Sequence, residues 1–267
     1  MSIVSVIIPT FNADEFISET IQSVLNQSHT DLELIVVDDC STDDTVKIVR
    51  EISYNDSRLT IIELAKNFGG PAGPRNIGVS KSVGKWICFL DADDLWHPSK
   101  LSIQLASLEK TGASFCCTQR MWLYGERQFD FSGSFSVQET YQNYTFRQIC
   151  SKNRICNSSV ILASYLLKSN PFNESSDYHA VEDMQCWLQI LESIHECIII
   201  DAPLVGYRIN VNQISRNKLK MAKKFFGVLK NYKLQSGEGF GWRKYWYFMQ
   251  YCFSSLKSLI ETRFSSK

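Results

Sequence analysis

Two hydrophobic periods alternate along the first 118 residues. Val4-Ser5-Val6-Ile7-Ile8 is a β-branched run ended by Pro9 and reads as a buried strand. Asn12, with Glu15 three residues later, is a helix-start signature, and Ile17, Ile21, Val24 and Leu25 then recur at helical spacing. Residues 34–37 predict a second strand, closed by the polar turn Asp38-Asp39-Cys40-Ser41. Ser41 and Asp44 can start a helix striped by Val46, Val49 and Ile52. A third strand is expected over 59–62 and a fourth over 86–90. Between them the Gly/Pro-rich stretch 69–73 leads into a helix from about Pro74. Pro98 opens a helix carrying Leu101, Leu105 and Leu108, and 113–118 is a further strand.

This alternation predicts an α/β domain, a mostly parallel sheet flanked by helices. Ligands of such sheets bind beyond the carboxyl ends of the strands. Here those ends read Pro-Thr-Phe-Asn, Asp-Asp-Cys-Ser and Asp-Ala-Asp-Asp, all polar. From 120 to 215 the pattern is less regular: an aromatic, turn-rich stretch, an apolar segment at 159–167, a helix near 182–194 and a strand at 197–200. From Lys218 two amphipathic stripes follow. Leu219, Ala222, Phe226 and Leu229 form the first. Trp242, Tyr245, Trp246, Met249, Phe253, Leu256 and Ile260 form the second, after the turn 237–241.

Composition adds one asymmetry. The 267 residues carry 28 Lys and Arg against 28 Asp and Glu, yet residues 216–267 hold 12 of the cations and 2 of the acids, a net +10. The remaining body is equally acidic, which repels nucleic acid. No apolar run approaches the ~20 residues of a spanning helix. Met1-Ser2-Ile3-Val4-Ser5 has neither the basic start nor the apolar segment of a secretory signal. Nine scattered cysteines, Cys116 and Cys117 adjacent, suit buried thiols of a reducing compartment. The expected location is the cytoplasm.

Several catalytic classes lose support for want of their motifs. No Gly-x-Gly-x-x-Gly follows the first strand, no phosphate loop ending in Gly-Lys-Ser/Thr occurs, and no Gly-x-Ser-x-Gly elbow appears. Four clusters remain. Asp91, Asp93 and Asp94 follow an apolar strand; in extended chain Asp91 and Asp93 share one side while Asp94 faces away. Two hard carboxylates there suit Mg²⁺ or Mn²⁺ shared with substrate phosphates, or alternatively a solvated turn before the next helix. Asp39 can accept a hydrogen bond from a base or ribose, or serve as a capping residue. The glycines of 69–73 let backbone approach a ligand, and Arg75 at the helix start can contact phosphate or ribose, or the stretch is a plain loop. Glu182-Asp183 opens a helix, where acids favour the dipole; a general base for a sugar hydroxyl also requires such a carboxylate.

In order and in spacing these features resemble the family-2 glycosyltransferases of GT-A fold. Val4 to Asn12 is similar to the family's opening strand and Pro-x-x-Asn, and 37–41 to its Val-Asp-Asp-x-Ser. Residues 74–78 resemble its Ala-Arg-Asn-x-Gly, with Pro74 in place of Ala; Asp91 to Asp93 matches Asp-x-Asp, and Glu182-Asp183 its Glu-Asp. The resemblance spans roughly residues 3–215. It implies that 1–118 form the nucleotide-sugar-binding half of a Rossmann-like GT-A domain, and 119–215 the acceptor-binding half. It further implies that Pro9, Thr10 and Asn12 line the nucleotide pocket, Asp39 binds uracil, Arg75 lies near ribose or phosphates and Asp91 contacts the ribose. Asp93 would hold Mn²⁺ or Mg²⁺, and Asp183 would be the general base of an inverting transfer.

The basic tail, 216–267, is expected to meet an anionic membrane surface, or to pack its apolar faces on the body or on a second subunit as a homodimer. Together with the resemblance it implies a UDP-sugar donor, with galactose or glucose favoured. The acceptor would be a polyprenyl-diphosphate-linked GlcNAc or GalNAc, on the cytoplasmic face of the inner membrane, in bacterial O-antigen or capsule synthesis. The competing readings are a non-catalytic sugar-nucleotide or glycan-binding module and a haloacid-dehalogenase-type phosphatase. The phosphatase pattern, however, continues differently after its second Asp.

Overall fold

The computed structural model describes residues 3–123, 131, 140–209 and 218–264, with side chains as far as 255. β1 (Val4–Thr10), β2 (Leu32–Asp38), β3 (Leu59–Glu63) and β4 (Trp86–Phe89) pair in parallel in the order β3-β2-β1-β4. β5 (Leu95–Trp96), β6 (Phe115–Leu123), β7 (Tyr141–Thr145), β8 (Ile161–Ala163) and β9 (Glu196–Arg208) extend the sheet as β8-β6-β9-β5, with β7 also on β9. This second half is mixed: β8 runs antiparallel to both β4 and β6, whereas β6 and β9 are parallel. Register shifts around Gln119 bend the long β9, so that 196–200 pair with β7 and 205–206 with β5.

Alternation along β1 sends Val4, Val6 and Ile8 to one face and Ile7 to the other. The first face is covered by α1 (Ile17–Leu25), α2 (Thr45–Asn55) and α4 (Lys100–Thr111). The second is covered by α3 (Ala72–Lys81), α5 (Phe146–Ser151), α6 (Ser164–Ser169) and α7 (Glu182–Ile194). Gly78 lets α3 press on the sheet, since a Cβ there would lie 2.5 Å from Cγ2 of Ile7. All nine cysteines are free, and only Cys252 is exposed.

Helix starts differ from the sequence expectation. Asn12 and Glu15 do not cap α1, which begins at Ile17 with no side-chain bond at its N-terminus. Asn12 instead turns the chain at φ 49° and gives its carboxamide to the neighbouring loop. Asp44 makes no capping bond to α2; the Asp43 carboxylate accepts the Thr45 N–H at 3.0 Å. α3 starts two residues before Pro74, which tolerates the first helical turn because its missing N–H would have no partner there.

In the tail, α8 (Lys218–Asn231) buries Phe225, Val228 and Leu229 in the second core together with Tyr232 and Phe240. α9 (Arg243–Phe264) stacks Tyr251 on Phe225 at 4.0 Å. One side of the tail therefore packs on the body, while Leu219, Tyr245, Trp246, Met249 and Phe253 stay exposed. The side chains of Leu256 and Ile260, most of the aromatic stretch after 123, and the boundary at 215–216 lie outside the described residues. Among the described residues no helix is long and apolar enough to cross a membrane.

Candidate active site

The carboxyl ends of β1 and β2 open onto a cavity of about 220 Å³, lined by Pro9, Thr10, Phe11, Asp39, Asn67, the 69–71 loop and Pro74 of α3. Asp38 and Asp39 divide their work. The Asp38 carboxylate turns back to accept the Ser41 N–H at 3.0 Å, shaping the loop. Asp39 faces the cavity, its Oδ1 accepting the Phe68 N–H at 2.8 Å while Asn67 Nδ2 donates to its carbonyl at 2.6 Å. Burial pushes the Asp39 carboxyl above its ordinary value against the pull of that N–H. The Thr10 hydroxyl is buried with no partner among the described residues, which favours a polar ligand in the cavity.

Beside it, the chain leaves β4 and turns at 91–94, the Asp94 N–H closing on the Asp91 carbonyl at 3.0 Å. The extended conformation expected here is thus replaced by a turn. Asp94 does face away, but into the core rather than solvent: its carboxylate accepts from Ser158 Oγ at 2.5 Å and from the Arg208 N–H at 3.0 Å. Burial first, then Asp93 and Asp91, push its pKa well up. Arg208 also donates from Nε to the Asp93 carbonyl at 2.9 Å and pairs with Glu19 at 3.2 Å. The turn is therefore held from both sides.

At the centre lies Arg75, its side chain 4% exposed. Its guanidinium bridges Asp91 Oδ1 and Glu182 Oε1, each at 2.8 Å, and lies over the Phe172 ring at 5.4 Å. Asn157 adds a 3.3 Å bond to the same Asp91 oxygen. This clamp joins the start of α3, the end of β4 and the start of α7. Three of its buried polar atoms, Arg75 Nε, Glu182 Oε2 and Asn157 Oδ1, have no partner among the described residues.

Asp183 follows Glu182 at the first turn of α7 and is only partly covered. Desolvation and then the Glu182 charge push its pKa up to about 7, with Arg75 opposing. A carboxylate poised there exchanges protons near neutral pH. Glu182 is instead tied to a guanidinium and buried. Glu182 is thus held inside the clamp, while Asp183 stands at its edge.

The sequence profile described as Glycosyl transferase family 2 matches residues 5–166, well over half of the chain. The chain is a family-2 glycosyltransferase. Its relatives include the Escherichia coli UDP-Glc:alpha-D-GlcNAc-diphosphoundecaprenol beta-1,3-glucosyltransferase WfgD, 34% identical over 234 residues, which cover 85% of each chain. Among solved structures it is similar to Staphylococcus aureus TarS 1–349 in complex with UDP-GlcNAc. That match has a TM-score of 0.69 and 22% identity, over 94% of this chain and 72% of TarS. It is also similar to the mannosyltransferase PcManGT of Pyrobaculum calidifontis in complex with GDP-Man and Mn²⁺. There the TM-score is 0.65 and the identity 18%, over 96% of this chain and 75% of the other. Both structural likenesses are to the fold.

For this glycosyltransferase the structure brings Pro9, Thr10 and Asp39 together in the cavity, and Arg75, Asp91 and Asp183 around the clamp. Asn12 does not line the cavity; it ties the loop after β1 to the one after β2, receiving the Thr42 N–H at 2.8 Å and donating its own N–H to Ser41 Oγ at 2.9 Å. Arg75 is enclosed by carboxylates rather than facing the cavity. Sequence reasoning missed Glu182 as the second partner of Arg75, although the pair Glu182-Asp183 was in view. It also missed Asn157, Ser158 and Arg208, which carry no motif and reach the turn only through the fold. His179 was missed as well: its ring sits where a Cβ on Gly70 would fall, 1.8 Å from Nε2.

Proposed function

We propose that this chain transfers a hexose, glucose or galactose, from its UDP-sugar to a hydroxyl of polyprenyl-diphosphate-linked GlcNAc or GalNAc. The transfer inverts the anomeric centre and forms a β-linkage, in bacterial O-antigen or capsule synthesis. The observation that carries this is the Arg75–Glu182–Asp91 clamp, with a carboxyl of pKa about 7 at its edge and a polar-lined cavity next to it. The donor and acceptor classes are supported by the activity named for WfgD.

In this reading Asp39 accepts the imide N–H of uracil, with Pro9 and Thr10 lining the base, while Asn12 holds the pocket's loops. Asp91, fixed by Arg75 and Asn157, presents its carboxylate to the ribose, and Arg75 positions that carboxylate from within the clamp. Asp183 takes the proton from the acceptor hydroxyl. That oxygen bonds to the anomeric carbon on the face opposite the departing group, and the bond to the diphosphate oxygen breaks with its electron pair leaving on UDP.

A divalent cation fits the donor set. Asp93 and Asp91 are hard oxygen donors on one turn. Such donors suit a Mg²⁺ or Mn²⁺ ion that shares its shell with substrate phosphate and water; among the described residues no group of three or more His, Cys, Asp or Glu is placed to hold a metal by itself. Bound through Asp93, such an ion would neutralise the charge developing on the leaving diphosphate. The enzyme would work on the cytoplasmic face of the inner membrane, its 216–267 tail against anionic lipid.

Asp183→Asn tests the assignment. Transfer is expected to fall by at least a thousandfold while UDP affinity, measured by calorimetry, stays within about twofold. Equal loss of both would place Asp183 in donor binding instead.

A further inference from the structure

A second cavity lies away from the strand ends. It is a groove of about 1000 Å³ between α5 and α9, floored by Tyr144, Phe240 and Tyr247. Four cations line it, Arg147, Lys152, Arg154 and Arg243, and no acid does. All four are exposed, and none makes an ion pair among the described residues. Along the same groove stand Trp242, Trp246, Met249 and Phe253, between 51% and 74% exposed. The groove is structurally tied together, since Ser151 of α5 bonds Gln250 of α9.

Water-exposed tryptophans beside unpaired cations are a costly surface for a soluble face, and the two features select the same partner. Indole and phenyl side chains settle at the headgroup level of a bilayer, where each nearby Lys or Arg gains from anionic lipid. We propose that this groove is the seat of the protein on an anionic phospholipid bilayer, and that α5 with the 152–154 segment forms half of it. The inference rests on the membrane-facing part of the proposed function and extends it. The tail does not act as a detachable anchor; the contact is shared with the catalytic body.

This placement has a consequence for the active site. Arg154 is three residues before Asn157, whose side chain holds Asp91. Lipid bound at 147–154 thus touches the chain that leads directly to the clamp.

The full-length protein should co-sediment with vesicles of phosphatidylcholine containing 30% phosphatidylglycerol and not with phosphatidylcholine alone. The decisive variant carries Arg147→Glu, Lys152→Glu and Arg154→Glu, all outside the tail. Its vesicle affinity should drop by at least about a hundredfold, since loss of three cations at about 1 kcal/mol each already gives that and the three introduced acids are repelled by the same lipid. Trp246→Ala with Phe253→Ala, at exposed positions, should weaken binding as well and make the residue more salt-sensitive. Circular dichroism and UDP binding, unchanged in both variants, would separate loss of docking from loss of fold or of the donor site. Undiminished vesicle binding by the triple variant would overturn the proposal, leaving the tail alone as the anchor. So would equal binding to neutral vesicles, or a stable dimer in solution that protects Trp246 from quenching by acrylamide.

Discussion

Glu182→Gln is the perturbation that best separates the two acids at the start of α7. The side chain is 6% exposed and shares Arg75 with Asp91. After desolvation, its charge is the main influence raising Asp183 to about 7. Neutralising it removes that repulsion and leaves the Arg75 guanidinium with one carboxylate fewer, so both changes lower the Asp183 pKa. At an effective dielectric of ~20, a unit charge is worth about 4 kcal/mol at 4 Å and half of that at twice the distance. Even the smaller value equals roughly 1.5 decades of proton affinity at 1.36 kcal/mol per decade. The base limb of the pH–rate profile, where activity rises with pH as Asp183 loses its proton, should therefore move from near 7 to about one to two pH units lower. The plateau should fall, because a weaker base accepts the hydroxyl proton less readily. The assay is kcat/KM for the acceptor between pH 5 and 9, with urea unfolding to verify that the variant is folded. Stability should decline by less than the ~3–5 kcal/mol of a fully broken buried pair, since Arg75 keeps Asp91. A limb that stays near 7, or a variant as inert as Asp183→Asn, would refute this division of roles and make Glu182 the base.

Two further outcomes follow from the same geometry. Gly70→Ala places a methyl 1.8 Å from His179 Nε2 and should weaken UDP binding by about tenfold in calorimetry, whereas adding His179→Ala should restore most of it. If the single variant binds as the parent does, that packing is irrelevant to the donor site. Asp183→Asn should also change stability with a defined sign. A carboxyl whose folded pKa stands at about 7 against an ordinary 3.8 contributes stability below about pH 4 and loses it as pH rises through 7. The full difference is roughly 4 kcal/mol, and partial exposure reduces it to about 1–2. The variant should therefore melt a few degrees higher than the parent at pH 8, a gain that shrinks toward pH 5. A lower melting temperature at pH 8 would mean the ionised form is stabilised.

The first half of the fold was readable because its signals are local. Short, largely apolar runs predict β1 to β4, and the polar residues directly after β1, β2 and β4 mark the site. Helix starts were less legible, since Asn12 serves a contact with Thr42, thirty residues away, rather than its own helix. β5 and β7 are short strands whose existence depends on pairing with β9, a partner over fifty residues on. The same limit hid the clamp. Arg75 and Asp183 were each visible as motifs, but the bonds from Arg75 to Glu182 and from Arg208 to the 91–94 turn span more than a hundred residues. No spacing rule encodes them. The tail was half legible: its amphipathic stripes were apparent, yet sequence alone left both faces open, and only the fold shows Val228 and Leu229 buried while Trp246 and Phe253 are not.

The central claim is tested most directly by nucleotide release. The protein would be offered UDP-, GDP- and TDP-sugars with Mn²⁺ or EDTA, with and without polyprenyl-diphosphate-linked GlcNAc or GalNAc. The expected result is release of UDP from UDP-glucose or UDP-galactose that requires both the metal and the lipid-linked acceptor. Binding of no nucleotide, or release indifferent to the acceptor, would contradict it.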